Sequence, residues 1–468
     1  MRELSMIAYM AVPIVFITMY MIIKNYQTHT TLTISGLLML TVGVVFTQGG
    51  IADFMGAQYK FSSTGSTFFD LFGAFSAIMS ERTATIGMIA MTSAGFASYM
   101  SKIGAADSLV KACAKPLQLI NKPYLILALA FIIGQTLNLV IPSPAGLAML
   151  LLISFYPILL QAGVSPLSAA VVIGTCGSLD LGPGSGNSNV AAELLDMSIT
   201  EYFASTEILV AIPVTLTVAV THFFVQKWFD KRDGHKRSQT EIKVAGEQDV
   251  RQGAPYSRLY AMLPFLPLAL LLIFSDIGIA SVKINAPIAM FASLIMIVVI
   301  DAFRVKSLQL ALDHSFEFFK GMAGAFSTVV VLIVAATMFT LGLDAIGAVN
   351  AMKSMILAGD VHYLLITLFG MLIIAFTAML TGSGSAAFVS FSNLGSELSA
   401  AAGVKSVLML VPMQHAAGFG RSLSPVAAVV IAVAVAANVS PFEVLKRALI
   451  PCIVGIFSTL FYTQLIFS

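Results

Sequence analysis

The chain has 468 residues, of which 58% are hydrophobic and only 10% charged, with a formal net charge of +2. Soluble domains carry about 25% charged residues, so a water-soluble fold of this length is excluded. The near balance of charge removes any overall pull toward nucleic acid, and the long uninterrupted apolar runs point to lipid as the solvent.

The first run, about residues 5–23, follows Arg2 and could pass for a signal peptide. No convincing small-residue cleavage site follows it and more apolar runs do, so it reads as the first span. Further candidate spans fall at about 31–48, 83–101, 205–225, 259–275, 284–301, 321–341 and 444–465. Each approaches the length that crosses a ~30 Å core at ~1.5 Å per residue. Cys113, Cys176 and Cys452 lie singly in or beside apolar segments, with spacings that suit neither a disulfide framework nor a metal site. They read as small apolar side chains, and no metal or cofactor is expected.

One stretch, residues 226–258, has soluble character, with Lys227, Lys231, Arg232, Lys236, Arg237, Lys243, Arg251 and Arg258 against five acids. The positive-inside rule makes it a cytoplasmic linker. Counting outward puts Lys24, Lys102, Lys111, Lys115, Lys122, Arg304, Lys306, Lys446 and Arg447 on the same face, and both termini on the periplasmic face. Lys60, Arg82, Lys283, Lys353 and Lys405 violate the count.

The linker separates two halves, 1–225 and 259–468, that echo each other. Ser198 and Glu201 recur 242 positions later as Ser440 and Glu443, and Pro183 recurs as Pro425. Ile103-Gly104-Ala105 recurs as Ile346-Gly347-Ala348 at an offset of 243. The charge count makes the halves enter from opposite sides. The expectation is an all-α polytopic membrane protein built as an inverted-topology repeat, with about ten spans, two re-entrant helical hairpins and two broken helices. Secondary transporters use this plan and place the site where the repeats meet.

The hairpins are expected near 123–161 and 361–402. Residues Pro123 to Leu179 hold no Asp, Glu, Lys, Arg or His, and Pro142-Ser143-Pro144-Ala145-Gly146 interrupts them. Thr381-Gly382-Ser383-Gly384-Ser385 interrupts the apolar run from Tyr363 to Phe391. Charge counting alone does not separate re-entrant hairpins from pairs of full spans; the uncharged tips favour the former. The broken helices are expected near 167–195 and 405–437. Residues 167–179 make only about 20 Å of helix, followed by Asp180-Leu181-Gly182-Pro183-Gly184-Ser185-Gly186-Asn187-Ser188-Asn189. Residues 405–417 and 426–437 are likewise short, with Gly418-Phe419-Gly420-Arg421-Ser422-Leu423-Ser424-Pro425 between them. Unwound backbone at mid-membrane must line a protein-buried or wet cavity.

Helix restarts inside a membrane present free N–H groups and partial positive charge, which suits carboxylates. Hydroxyls and amides at the breaks add donors. The candidate substrate-binding set is therefore Ser143, Ser185, Gly186, Asn187, Ser188, Asn189, Thr381, Gly382, Ser383, Gly384, Ser385, Arg421, Ser422 and Ser424. Arg421 is the one permanent charge between Lys405 and Glu443, and Asp180 the one charge between Lys122 and Glu193. Intramembrane ionisable groups default to function. Arg421 suits a bidentate grip on a carboxylate, or a neutralising role toward Asp180. Asp180 is a candidate coupling-ion residue, or a member of that pair. His415 is either a second coupling-ion candidate or a packed histidine, and Gln414 beside it is a polar neighbour of the same ambiguity.

Five stretches resemble the DcuC family of anaerobic four-carbon dicarboxylate carriers, within the ion transporter superfamily. They are Gly95–Gly104, Lys115–Tyr124, Thr381–Gly384, Gly420–Val426 and Ser440–Arg447. The last two are the most specific, and the similarity runs through nearly the whole chain. The resemblance implies transport of succinate, fumarate or malate, with succinate efflux or exchange during anaerobic growth. It also implies a homodimer in the inner membrane whose substrate domain moves elevator-fashion against a fixed scaffold, with a proton or sodium ion as coupling partner. The family pattern has an aspartate where this chain has Asn187, and Asn-Ala-Pro where it has Ser385-Ala386-Ala387. A different small organic anion therefore stays open as substrate.

Two rivals differ in kind. A channel favours continuous pore-lining helices, whereas broken helices in inverted halves favour a carrier. An intramembrane enzyme needs a nucleophile–base pair or a motif such as HExxH, and His222, His235, His314, His362 and His415 show no such spacing.

Overall fold

The computed structural model describes residues 13–18, 20–22, 24, 26–47, 50–55, 59–120, 122–235, 258–274, 282, 284–348 and 362–468. The start of the expected first span, most of the charged linker, and Lys283 and Lys353 lie outside the described residues.

The first half contains α1 (Thr28–Thr47), α2 (Thr67–Arg82), α3 (Met88–Lys102), α4 (Ala105–Ala114), α5 (Pro123–Asn138), α6 (Pro144–Gln161), α7 (Pro166–Thr175), α8 (Gly186–Leu194), α9 (Ile199–Tyr202) and α10 (Ile208–Arg232). The second contains α11 (Arg258–Met262), α12 (Leu266–Ile273), α13 (Ala286–Val305), α14 (Leu308–Ala325), α15 (Val331–Ala345), α16 (Tyr363–Thr381), α17 (Gly384–Ala401), α18 (Val407–Ser422), α19 (Ala428–Ala437) and α20 (Pro441–Phe467). No strand occurs among the described residues. Among the described residues seven helices are long and apolar enough to cross a membrane, including the hairpin arms α6 and α16. The fold is that of an all-helical, multi-pass membrane protein. The expected span at 83–101 sits inside a longer helix running from Thr67 to Lys102.

Local chemistry explains where the helices start. Pro123, Pro144, Pro166 and Pro441 occupy first-turn positions, where the missing N–H costs nothing. The hydroxyls of Ser143, Ser165, Ser185, Ser307 and Ser383 each accept from the backbone N–H three residues on. Ser440 and Glu443 form a capping box. Gly382, at φ 72°, ends α16 in the left-handed region that favours glycine.

The order of elements repeats. A π-type turn, Thr83–Gly87, joins α2 to α3, and another, Phe326–Val330, joins α14 to α15 at an offset of 243 positions. A hairpin follows in each half (α5–α6, α16–α17), then an interrupted helix (α7–α8, α18–α19), then a long last helix. A third π-type turn, Phe203–Glu207, joins α9 to α10 and has no counterpart in α20. Extra turns of this kind often mark functional positions.

Packing gathers the hairpins and interrupted helices into one body. The largest apolar cluster includes Phe131, Phe155, Val171, Val214, Phe388, Phe419 and Cys452, and so ties α5–α7, α10 and α17–α20 together. Smaller clusters hold α3, α13 and α14 around Tyr99, Ile297 and Phe318, and α1 and α15 around Leu32, Met39 and Phe339.

One end of the large body is closed by a buried polar cluster. Arg447, in the first turns of α20, donates to Asp230 of α10 and to Asp233 at 2.7 Å. Asp230 also accepts from the hydroxyls of Ser165 at 2.7 Å and Ser168 at 2.9 Å, at the start of α7. Both Arg447 and Asp230 are buried. Breaking such a pair leaves an uncompensated buried charge. Arg447→Gln is expected to lower stability by about 3–5 kcal/mol, read as an earlier thermal unfolding midpoint of the detergent-solubilised protein.

Candidate functional site

The segment between α7 and α8 crosses the interior without regular structure. Asp180 takes φ 54° and Gly182 φ 94°, so the chain reverses there. Buried peptide groups must find partners, and side chains from other elements supply them. Asn138 accepts from the Leu181 N–H at 3.2 Å. Glu207 accepts from the Gly182 N–H at 2.9 Å. Arg421 donates to the Gly177 carbonyl. Ser188 donates to the Asp180 carbonyl at 3.3 Å. The Asn189 amide donates to the carbonyls of Pro183 at 3.0 Å and Ser185 at 2.6 Å. Gln135 donates to the Ser178 hydroxyl at 2.9 Å.

Behind this segment lies a buried network that joins the two halves. The Glu207 carboxylate, fully buried in the π-type turn, accepts from the Ser188 hydroxyl and from the Gln414 amide at 2.8 Å. Gln414 belongs to α18, and its carbonyl accepts from the Tyr202 hydroxyl.

The second interruption is shorter than the sequence suggests. The expected unwound stretch began at Gly418, but α18 continues to Ser422 and leaves Leu423–Ala427 as the break. Glycine lets the helix continue there by admitting a neighbouring backbone. An ideal Cβ on Gly418 would stand 1.9 Å from the Ser178 carbonyl oxygen. Arg421 therefore sits in the last helical turn and points back across the first break. Its Nη1 stands 3.9 Å from Asp180 Oδ2, and its buried Nε has no hydrogen-bond partner among the described residues. Asp180 Oδ2 also accepts from the Asn187 amide at 2.9 Å.

A cavity of about 720 Å³ opens beside this pair. Asp180, Gly184 and Gly186 line it from the first break, Pro142–Pro144 from the first hairpin tip, Ser385 from the second, and Arg421 from α18. The opposite wall is small and weakly polar: Ala94, Ala97, Ser98 and Ser101 of α3, with Thr328 and Val329 of the second π-type turn. An Arg–Asp pair, the hairpin-tip residues Ser143 and Ser385, the hydroxyl residues Ser98, Ser101 and Thr328, and a glycine-lined helix start thus line one space. That arrangement suits a small anion with an oxygen at each end.

Of the candidate residues, Ser143, Gly186, Ser385, Arg421 and Asp180 line the cavity. The direct donor role expected of Ser185, Asn187, Ser188 and Asn189 does not match their placement. They are buried behind the lining and engaged with Asp180, Glu207 and the backbone. Unwound peptide groups compete with a ligand for the same side chains, and here they win. Thr381 caps its own helix by donating to the Thr377 carbonyl at 2.8 Å, and faces a separate apolar cavity with Phe339 and Phe369. Ser383 caps α17, and the Gly382 turn packs against the backbone of Val426 and Ala427. An ideal Cβ on Gly384 would meet the Ala417 carbonyl oxygen at 2.9 Å. Ser422 donates to the Gly418 carbonyl at 3.1 Å, and Ser424 accepts from the Val426 N–H at 3.3 Å. His415 is fully buried, and neither ring nitrogen has a hydrogen-bond partner among the described residues.

Sequence reasoning passed over Glu207, Asn138, Gln135 and Tyr202. For Glu207 a signal existed, because it is an acid inside the candidate span 205–225. Asn138 and Gln135 are amides in an otherwise apolar hairpin arm.

A family model described as C4-dicarboxylate anaerobic carrier, DcuC, matches residues 6–468. The chain belongs to the DcuC family. It is 31% identical over 447 residues to the anaerobic C4-dicarboxylate transporter DcuC of Escherichia coli K12, covering 95% of this chain and 93% of that protein. It is 30% identical over 460 residues to the probable anaerobic C4-dicarboxylate transporter DcuC of Vibrio cholerae, covering 97% and 96%. Among solved structures, the Neisseria gonorrhoeae MtrF efflux pump aligns with a TM-score of 0.56 at 12% identity, over 92% of this chain and 94% of that one. The Alcanivorax borkumensis YdaH transporter aligns with a TM-score of 0.51 at 14% identity, over 93% and 97%. These two likenesses establish the fold. Within this DcuC-family chain, Gly418 holds the two interruptions together. Gly418→Ala is expected to cost about 1–3 kcal/mol through overpacking, measured as a lowered unfolding midpoint in detergent, whereas Gly403→Ala, with nothing within 4 Å of its ideal Cβ, tests only the strain of its own turn.

Proposed function

We propose that the chain is a secondary active carrier of four-carbon dicarboxylates, such as succinate, fumarate or malate, across the bacterial inner membrane. The observation that carries this is the cavity shared by Arg421, Asp180, Ser143, Ser385 and the glycine-lined start of α8, in a chain of the DcuC family. One substrate carboxylate meets Arg421 at Nη1, which stands 3.9 Å from Asp180 Oδ2, beyond hydrogen-bond reach, while Nη2 donates to the Gly177 carbonyl. A bound carboxylate oxygen supplies Nη1 with an acceptor for a charge-assisted hydrogen bond. The other carboxylate meets the hairpin-tip hydroxyls and the N-terminal end of α8.

In this reading the two halves are inverted repeats, 1–225 and 259–468, joined by a cytoplasmic linker at 226–258. The hairpins and broken helices move as one body against α1–α3 and α13–α15, elevator-fashion, within a homodimer. The small side chains of α3 support this, because a wall of alanines and serines offers little to grip a sliding surface. Physiological work is succinate efflux or exchange, with a proton or sodium ion offsetting the dianion. The replacement of the family's aspartate by Asn187 favours a second reading, a different small organic anion in the same site. Its amide donates to Asp180, where a carboxylate would repel it.

Reconstituted proteoliposomes given a panel of labelled organic acids test both readings. Internal unlabelled succinate is expected to accelerate uptake of external label, which a channel does not do. Arg421→Lys loses the planar fork and is expected to raise the KM for succinate about tenfold, or about 1.4 kcal/mol. An unchanged KM removes Arg421 from the substrate.

A further inference from the structure

We infer that Glu207 is a proton-binding site that works with the substrate cavity; this rests on the carrier reading above. Its carboxylate is fully buried, and no Lys, Arg or His forms an ion pair with it among the described residues. An unpaired carboxylate at that depth must be neutralised or fully solvated by donors. Three donors meet it: the Gly182 N–H at 2.9 Å, the Gln414 amide at 2.8 Å and the Ser188 hydroxyl. Each comes from a different segment, and Gln414 belongs to the other half of the chain.

The Ser188 hydroxyl gives the network two proton arrangements. It lies between two acceptors, Glu207 Oε1 and the Asp180 carbonyl at 3.3 Å. With Glu207 ionised, Ser188 donates to the carboxylate. With Glu207 protonated, the acid O–H donates to Ser188 Oγ, and Ser188 turns its own proton to the Asp180 carbonyl. In the first state the Asp180 carbonyl lacks this donor, and in the second each of these groups is paired. The second state adds a hydrogen bond to Asp180, the residue whose side chain lines the cavity opposite Arg421. Occupancy of Glu207 by a proton is thereby transmitted to the cavity wall through one hydroxyl.

The surrounding charges favour a proton over a metal cation. Facing Glu207 are Asp180 from the first break, Tyr202 from α9 through Gln414, and, from α18, Gln414 itself, with His415 next along that helix. Arg421 stands beyond Asp180. The groups in direct contact with the carboxylate are donors, whereas sodium, a hard cation, needs a shell of oxygen acceptors. With Glu207 protonated, the Asp180–Arg421 pair leaves the interior neutral before the dianion arrives. With it ionised, a dianion joins an existing negative charge.

Infrared difference spectra of the purified protein test the assignment without substrate. Wild type is expected to show a pH-dependent protonated-carboxyl C=O band that Glu207→Gln removes. Ser188→Ala, which keeps Glu207, is expected to shift the frequency of that band, and serves if Glu207→Gln does not fold. A band indifferent to both substitutions overturns the proposal. In proteoliposomes, the ratio of succinate uptake with an inward proton gradient to uptake without one is expected to exceed unity in wild type and fall to unity in Glu207→Gln. A ratio unchanged by the substitution, or stimulation by sodium that Glu207→Gln abolishes, also overturns it. If the band behaves as expected while wild type moves no dicarboxylate, the proton site stands and the substrate assignment falls.

Discussion

Peptide groups that leave a helix inside lipid have no water to bond, and each one left unpaired costs several kcal/mol. The rest of this molecule is arranged around that constraint. Between α7 and α8 the backbone is met by Asn138, Glu207, Ser188, Asn189 and Arg421, drawn from both halves of the chain. The richness of Ser, Asn and Gly at the break serves the backbone first. What is left lining the cavity is one guanidinium, one carboxylate, a few hydroxyl residues and a helix start.

The two halves contribute unequally to this arrangement. The first supplies the long unwound segment and both acids, Asp180 and Glu207. The second supplies the base, Arg421, and the amide, Gln414, both from a helix that stays wound almost through the break. Gly418 makes the junction possible by letting the Ser178 carbonyl approach the helix axis. The polar contacts across the junction are therefore also contacts between the two halves of the chain. With the continuous apolar cluster around Phe131, Phe388 and Phe419, they make the hairpins and interrupted helices one mechanical unit. The cavity lies at the edge of that unit, against a wall of alanine and serine from α3.

Much of the fold was legible in the order of residues. Prolines and serines at helix starts act on their own turn, so Pro144, Ser165, Ser383 and the Ser440–Glu443 box mark boundaries wherever the helices finally pack. Helix pairs fall at Pro123–Asn138 with Pro144–Gln161 and at Tyr363–Thr381 with Gly384–Ala401, and Thr175 and Gly186 bound the first break. The end of α18 departs from the sequence reading, because glycines that signal an interruption in sequence serve a close backbone approach in the structure.

By itself, then, the sequence determined the solvent, the capped helix starts, the recurrence of elements and the presence of Asp180 and Arg421 as isolated charges in apolar stretches. These follow from composition and from interactions within a few residues. Only the tertiary structure decided which polar side chains face the cavity and which are consumed by unwound backbone, and that Glu207 stands within bonding distance of Ser188 and Gln414. The reason is geometric. A side chain's partners at a helix break are set by how segments from tens to more than two hundred residues apart cross, and no local pattern carries that information.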